Sequence, residues 1–136
     1  MPERKTLERA RKAKREGKAP TTQAGEFVRE EMEHIREGKH GARSTKQANA
    51  IGLSKARRAG VKLKPPKKGQ ASARTRKSAS RAYRAGQSGT RKKPSAKRSR
   101  ATSRALKREP RRAASHKALS KQARSAATRR RRRAIG

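Results

Sequence analysis

The clearest pattern of apolar and polar positions lies between Thr22 and Glu37. At about 100° per residue, one stripe about 80° wide holds four apolar side chains, Ala24, Val28, Met32 and Ile35. A second stripe on the opposite side holds four glutamates, Glu26, Glu30, Glu33 and Glu37. The pattern predicts an amphipathic helix that Thr22 can cap and Gly38 can end.

A second helix is predicted after a loop that covers residues 38–43. Ser44 is followed three residues later by Gln47, which fits a capping box, and Gly60 with two prolines beyond it supplies the stop. We therefore expect a short helical hairpin over residues 21–64. Its core would consist of Phe27, Val28, Met32, Ile35, Ile51, Leu53 and Val61. Because so small a core is marginal, we expect help from a protein partner or from self-association through residues 21–64.

The segments on either side of this hairpin are strongly basic. Residues 1–20 have a helix-forming composition and are predicted to be a basic N-terminal helix or arm. Residues 65–136 are a low-complexity tail of Lys, Arg, Ala and Ser, which we expect to be disordered because like charges repel. Residues 95–109 and 113–133 would become helical once phosphates neutralise that repulsion. The predicted fold class is mostly α with a large intrinsically disordered fraction, a helical hairpin flanked by a basic N-terminal helix and a basic tail.

Composition and charge strengthen this interpretation. The chain has 136 residues, of which 44 are Lys or Arg and 9 are acidic, a net charge of +35. Residues 1–68 contain 20 basic and 8 acidic residues, net +12, and residues 69–136 contain 24 basic and 1 acidic, net +23. A protein this basic is expected beside a polyanion. Duplex DNA carries one charge per roughly 1.7 Å of its axis, so 35 charges match about 60 Å of duplex.

Other function classes find little support in the sequence. The chain has no cysteine, and no pair of carboxylates has a predicted cavity around it, so we expect no enzyme activity and no cofactor. His34 and His40 match no metal-binding spacing, and no metal is expected. Residues 86–92 lack the spacing of a phosphate loop and are interpreted as a flexible linker. No apolar run reaches the roughly 20 residues that span a bilayer, and no secretory signal is present, so we expect a cytoplasmic, nucleoid-associated bacterial protein without membrane contact.

The candidate nucleic-acid contacts are exposed cations of the second helix and the tail. Arginine suits this role because its planar fork can hold two phosphate oxygens. The candidates are Lys46, Lys55, Arg57, Arg58, Lys92, Lys93, Lys97, Arg98, Arg100, Arg111, Arg112, Arg129, Arg130, Arg131, Arg132 and Arg133. Phosphates would repel the glutamate stripe, so Glu26, Glu30, Glu33 and Glu37 form either a solvated face or a contact with another protein.

About half of the chain resembles a known bacterial family. The pieces that carry the resemblance are ERKTLERARKAKREGKAP (residues 3–20), EFVREEMEHIREGKHGARSTKQA (residues 26–48) and AIGLSKARRAGV (residues 50–61). The family consists of small Lys/Arg-rich proteins with a domain of unknown function, and some members are labelled DNA-binding or plasmid stabilisation protein. Members commonly continue into a basic tail that looks like that of linker histones. The resemblance implies association with DNA.

Three functions are compatible with these features. The first is a histone-like, nucleoid-associated protein that binds DNA without sequence preference, by phosphate neutralisation, and helps to compact it. The second is a structural protein of the ribosome or of another RNA, because extended Lys/Arg arms also occur there. The third is an adaptor whose helical hairpin recruits a protein partner while the tail only localises it. DNA is the expected partner and RNA the alternative.

Overall fold

The computed structural model describes residues 2–89 and 95–135, and helices make up 74% of them. Six α-helices follow one another in this part of the chain. They are α1 (Arg4–Arg15), α2 (Pro20–Arg36), α3 (Thr45–Arg58), α4 (Ala73–Ser88), α5 (Ala96–Arg108) and α6 (His116–Ile135), with a short 3-10 helix at Arg112–Ala114 before α6. The prediction of a mostly α fold is confirmed.

The signals that were expected to start and end α3 act as predicted. The main-chain N–H of Gln47 donates to the hydroxyl of Ser44 over 3.2 Å. The side-chain oxygen of Gln47 reaches back and accepts from the N–H of Arg43 at 2.6 Å, one residue earlier than in an ideal capping box. Gly60 follows the helix with a φ of +100°, a conformation that glycine adopts without strain.

The tail is more ordered than the sequence predicted. The expectation of a large disordered fraction is wrong for the described residues, because α4, α5 and α6 occupy most of them beyond residue 72. Ala, Arg and Lys favour helices, and a serine hydroxyl caps the start of each one by accepting a main-chain N–H. The bonds are Ser72 with Thr75 at 3.2 Å, Ser95 with Arg98 at 3.1 Å and Ser115 with Ala118 at 3.1 Å. Residues 86–88, expected in a flexible linker, are the last residues of α4.

The chain packs as two compact units. Unit 1 comprises Met1–Glu31 and Ala50–Pro94, and unit 2 comprises Met32–Asn49 and Ser95–Gly136. Helices α2 and α3 therefore contribute residues to both. The segments predicted from composition (1–20, 21–64 and 65–136) describe the order of the chain, whereas the units describe its packing.

Unit 1 is built around Phe27, whose side chain is 1% exposed. The apolar cluster around it consists of Ala10, Ala24, Ala56 and Val61, with Leu7, Leu53 and Leu63 packed against it. Glycine allows the helices to approach closely, since a Cβ on Gly52 of α3 would lie 2.7 Å from the Cα of Val28 on α2. A Cβ on Gly86 of α4 would overlap the main-chain oxygen of Arg57 at the end of α3. The close contact at Gly86 docks the first tail helix onto unit 1.

Unit 2 is held together largely by main-chain hydrogen bonds. Its buried apolar residues are Met32, Ile35, Ala42, Ala48, Ala113 and Ala114. The loop after α2 caps the end of α5, because the N–H of Gly41 donates to the oxygen of Leu106 at 2.8 Å and the N–H of Ala42 donates to that of Pro110 at 3.0 Å. Of the seven predicted core residues, Phe27, Met32, Ile35 and Val61 are buried, whereas Val28, Ile51 and Leu53 are half-buried.

Candidate nucleic-acid interface

The three tail helices carry cations and no anions. Helices α4, α5 and α6 contain 19 Lys or Arg residues and no Asp or Glu. All of these cations are exposed except Arg76, which is half-buried. The ion pairs that the structure shows lie elsewhere, for example between Arg4 and Glu8 at 3.2 Å and between Lys18 and Glu16 at 3.2 Å. The tail helices therefore present charge that no acidic residue of the same helix neutralises.

On α4, the cations align along one face of the helix. A shallow, open groove is lined by Ala73, Arg76, Lys77, Ser80, Arg81 and Arg84. These positions follow the spacing of 3, 4, 7, 8 and 11 residues that places side chains on one side of a helix. We call this surface the α4 stripe. Its four cations and one hydroxyl all donate hydrogen bonds, which suits a run of phosphate oxygens.

Helix α6 carries an equivalent surface. Its groove is lined by Lys121, Arg124, Ser125, Thr128, Arg129 and Arg132, with the same spacing, and we call it the α6 stripe. Four positions correspond one by one between the two stripes. They are Arg76 with Arg124, Ser80 with Thr128, Arg81 with Arg129, and Arg84 with Arg132, an arrangement that reads Arg-x3-Ser/Thr-Arg-x2-Arg in both helices.

Helix α5 repeats part of α4. The segment Ser72–Arg84 can be aligned with Ser95–Lys107, which places one capping serine on the other and Ser80-Arg81-Ala82 on Ser103-Arg104-Ala105. The two helices differ in burial, however. Helix α4 buries Ala79 and Ala82, whereas α5 has no buried residue. Because α5 contributes nothing to a core, its order depends on local signals.

Most of the predicted contact residues lie at the surface. The exposed candidates are Lys46, Arg58, Lys97, Arg98, Arg100, Arg111, Arg112, Arg129, Arg130, Arg131, Arg132 and Arg133. Lys92 and Lys93 lie outside the described residues. Arg111 also has a structural contact, because its Nη2 donates to the main-chain oxygen of Arg36 at 2.7 Å and so caps the end of α2.

Arg57 and Lys55 differ from the other candidates. Arg57 is 7% exposed, and its guanidinium donates to the main-chain oxygens of Leu63 at 3.1 Å and Lys64 at 3.3 Å. Burial lowers the pKa of Arg57 from its ordinary value, because removal from water disfavours the charged form. The ammonium of Lys55 pairs with the buried carboxylate of Glu31. Both side chains stabilise unit 1, and we leave them out of the proposed contact surface.

The glutamates of α2 have different environments. Glu30 is 2% exposed, and its Oε1 accepts from the N–H of Glu3 at 2.5 Å and from the hydroxyl of Thr6 at 3.2 Å. It therefore lies at the N-terminus of α1, the positive end of the helix dipole. Glu26 and Glu33 are half-buried, while Glu37 is exposed and pairs with Lys39 at 3.3 Å. Glu30 is thus used inside the chain, which a uniformly solvated stripe does not predict.

The sequence interpretation missed the α4 stripe and half of the α6 stripe. Arg76, Lys77, Arg81, Arg84, Lys121 and Arg124 were not among the candidates. Two signals could have found them, namely the serine three residues before the N–H that it caps and the helical spacing of the arginines that follow. Both signals were present, but the low apolar content led us to treat the segment as disordered.

Comparisons of the chain with protein-family models, with curated proteins and with solved structures found no match. Within residues 2–89 and 95–135, no helix has the length and apolar character needed to cross a membrane. The functional argument therefore depends on the charged surfaces themselves.

Proposed function

We propose that this protein is a histone-like, nucleoid-associated protein that binds DNA without sequence preference and helps to compact it. The observation that supports this proposal is the 19 cations on three helices that contain no acidic residue. Phosphate contacts by Lys and Arg release counterions from DNA, which favours binding to any sequence. The hydroxyls of Ser80 and Thr128 lie among the arginines of the two stripes and can donate to the same phosphates.

The helical form of the tail favours DNA over RNA. An α-helix with its side chains is about 10–12 Å across, and the major groove of B-DNA is about 12 Å wide. The major groove of A-form RNA is deep and narrow and does not admit such a helix. The ribosomal alternative relied on an extended tail that threads between RNA helices, whereas α4, α5 and α6 are regular helices. The resemblance of residues 3–61 to a family with DNA-binding members points in the same direction.

Salt dependence provides the first test. The full chain is titrated into fluorescent duplexes of unrelated sequence, and the dissociation constant is measured by anisotropy at several salt concentrations. Ten phosphate contacts would give a slope of log K against log salt of about −9. A slope shallower than about −3 would contradict the proposal, since few phosphates would then be contacted. A strong preference for one duplex sequence would contradict it as well.

Duplex RNA of the same length serves as the matched competitor. We expect DNA to bind more tightly than RNA at equal salt, because only the DNA groove accepts the tail helices. Equal or tighter binding to duplex RNA would favour the structural role on RNA. In cells, crosslinking followed by sequencing of the attached nucleic acid would recover DNA from many genomic positions.

A further inference from the structure

The positive charge is divided almost equally between the two units. Unit 1 contains 24 basic and 6 acidic residues, net +18, and unit 2 contains 20 basic and 3 acidic residues, net +17. This balance is hidden in the linear sequence, where the second half is far more basic than the first. Each unit carries enough charge to match about 30 Å of duplex, or about nine base pairs.

Each unit also carries its own ordered cationic surface. The α4 stripe belongs to unit 1, and the α6 stripe belongs to unit 2. The two stripes share helical spacing, three arginine positions and one hydroxyl position, although they lie 48 residues apart in the chain. The same donor pattern therefore occurs once in each unit.

Each stripe is anchored within its own unit. Helix α4 is held by the close approach of Gly86 to Arg57 and by a hydrogen bond from the side-chain amide of Gln87 to the oxygen of Gly60 at 3.1 Å. The 3-10 helix that leads into α6 is held at its alanines. The hydroxyl of Thr45 donates to the oxygen of Ala113 at 2.6 Å, and Nε of Arg36 donates to that of Ala114 at 3.0 Å.

We infer that the α4 stripe and the α6 stripe bind two separate segments of duplex DNA, so that one copy of the protein bridges them. The inference rests on the proposed function, because it requires that the stripes contact phosphates. A unit that has neutralised one segment leaves the +17 or +18 of the other unit to attract a second. Once the first segment is bound, the second contact benefits from a raised effective concentration.

Bridging can be measured by capture of one duplex by another. A biotinylated duplex is immobilised on beads, the full chain is added below saturation, and retention of a second, fluorescent duplex is recorded. Binding to a single duplex is measured in parallel by anisotropy. We expect the wild-type chain to retain the second duplex, and an excess of protein to abolish retention because every duplex is then covered separately.

Three double variants remove two charges each while keeping good helix formers. Arg81→Gln with Arg84→Gln changes the α4 stripe, and Arg129→Gln with Arg132→Gln changes the α6 stripe. The control, Arg104→Gln with Lys107→Gln, removes two exposed charges at the same spacing from α5. We expect either stripe variant to lower capture of the second duplex about tenfold, and affinity for one duplex less than about threefold. The control should change capture no more than it changes affinity.

Several outcomes would overturn the inference. One is binding of wild type to a single duplex without capture of a second, which contradicts bridging and leaves the proposed function intact. Capture that survives neutralisation of either stripe would indicate bridging by associated copies. An equal effect of the α5 control would show that total charge, and not the stripes, determines capture. Failure of wild type to bind even one duplex would contradict the proposed function itself. Circular dichroism of each variant verifies that helix content is unchanged.

Discussion

Gly86 of α4 lies directly against the main-chain oxygen of Arg57 at the end of α3. A Cβ on Gly86 would overlap that oxygen and would also lie 3.1 Å from the nitrogen of Gly60. The backbone of Gly86 is ordinary helix, so glycine is required there by lack of space and not by conformation. This contact positions the α4 stripe on unit 1.

Gly86→Ala is therefore expected to destabilise the protein by about 1–3 kcal/mol, the usual cost of overpacking. Gly25→Ala is the matched control, because Gly25 also lies inside a helix of unit 1 but has nothing within 4 Å of its Cβ position. That substitution should stabilise by up to about 1 kcal/mol, since alanine favours helix. Urea unfolding followed by circular dichroism measures both. Equal stabilities would contradict the close contact.

Arg57→Gln should destabilise the chain, while its neighbour Arg58→Gln should not. The guanidinium of Arg57 satisfies two buried carbonyl groups, and their loss costs about 1–3 kcal/mol. Arg58 is exposed, so its replacement should lower only the affinity for duplex DNA. Unfolding midpoints and anisotropy together separate the two roles. A stability loss at Arg58 as large as that at Arg57 would contradict this assignment.

Glu30→Ala should loosen α1. The substitution leaves the N–H of Glu3 and the hydroxyl of Thr6 without their acceptor, at a cost of about 1–3 kcal/mol. Glu37→Ala removes an exposed glutamate of the same helix and should change stability little. Limited trypsin digestion provides a local readout, with faster cleavage after the basic residues of α1 expected for Glu30→Ala alone. Unchanged cleavage would mean that α1 is held by other contacts.

Ser95→Ala should reduce the helix content of α5 more than Ser72→Ala reduces that of α4. Loss of either cap costs about 1 kcal/mol, but α4 also has buried alanines that hold it in place. Ser99→Ala, inside α5, should increase helicity, since alanine is the better helix former. Chemical shifts of the α5 backbone report the change residue by residue. The prediction fails if Ser95→Ala leaves those shifts helical.

Features that depend on neighbours in sequence could be predicted from the sequence. Ser44 with Gln47, and Gly60, set the ends of α3 because a cap acts over three or four residues. The tail helices carried the same local signals at Ser72, Ser95 and Ser115, but we judged that segment by its apolar content.

Features that depend on distant parts of the chain could not be predicted. Nothing near Glu30 indicates that the N-terminus of α1 covers it, and nothing near Arg57 identifies the carbonyls of Leu63 and Lys64 as its partners. The spacing of α2 placed Glu30 opposite the apolar stripe, where solvent was the simplest expectation. Packing of a third helix against that side reversed it. For the same reason, a charged residue in so basic a chain could not be sorted into surface or interior from its identity alone.

The likeness between Ser72–Arg84 and Ser95–Lys107 has a consequence for how such a chain can change in length. Helix α5 begins with its own cap and buries no residue, so its presence makes no demand on either core. Duplication or deletion of such a segment adds or removes about 20 Å of helix at 1.5 Å per residue. The cationic charge of the tail can thus grow in increments of five or six, the numbers of basic residues in α4 and α5, while the packed helices that carry it stay the same.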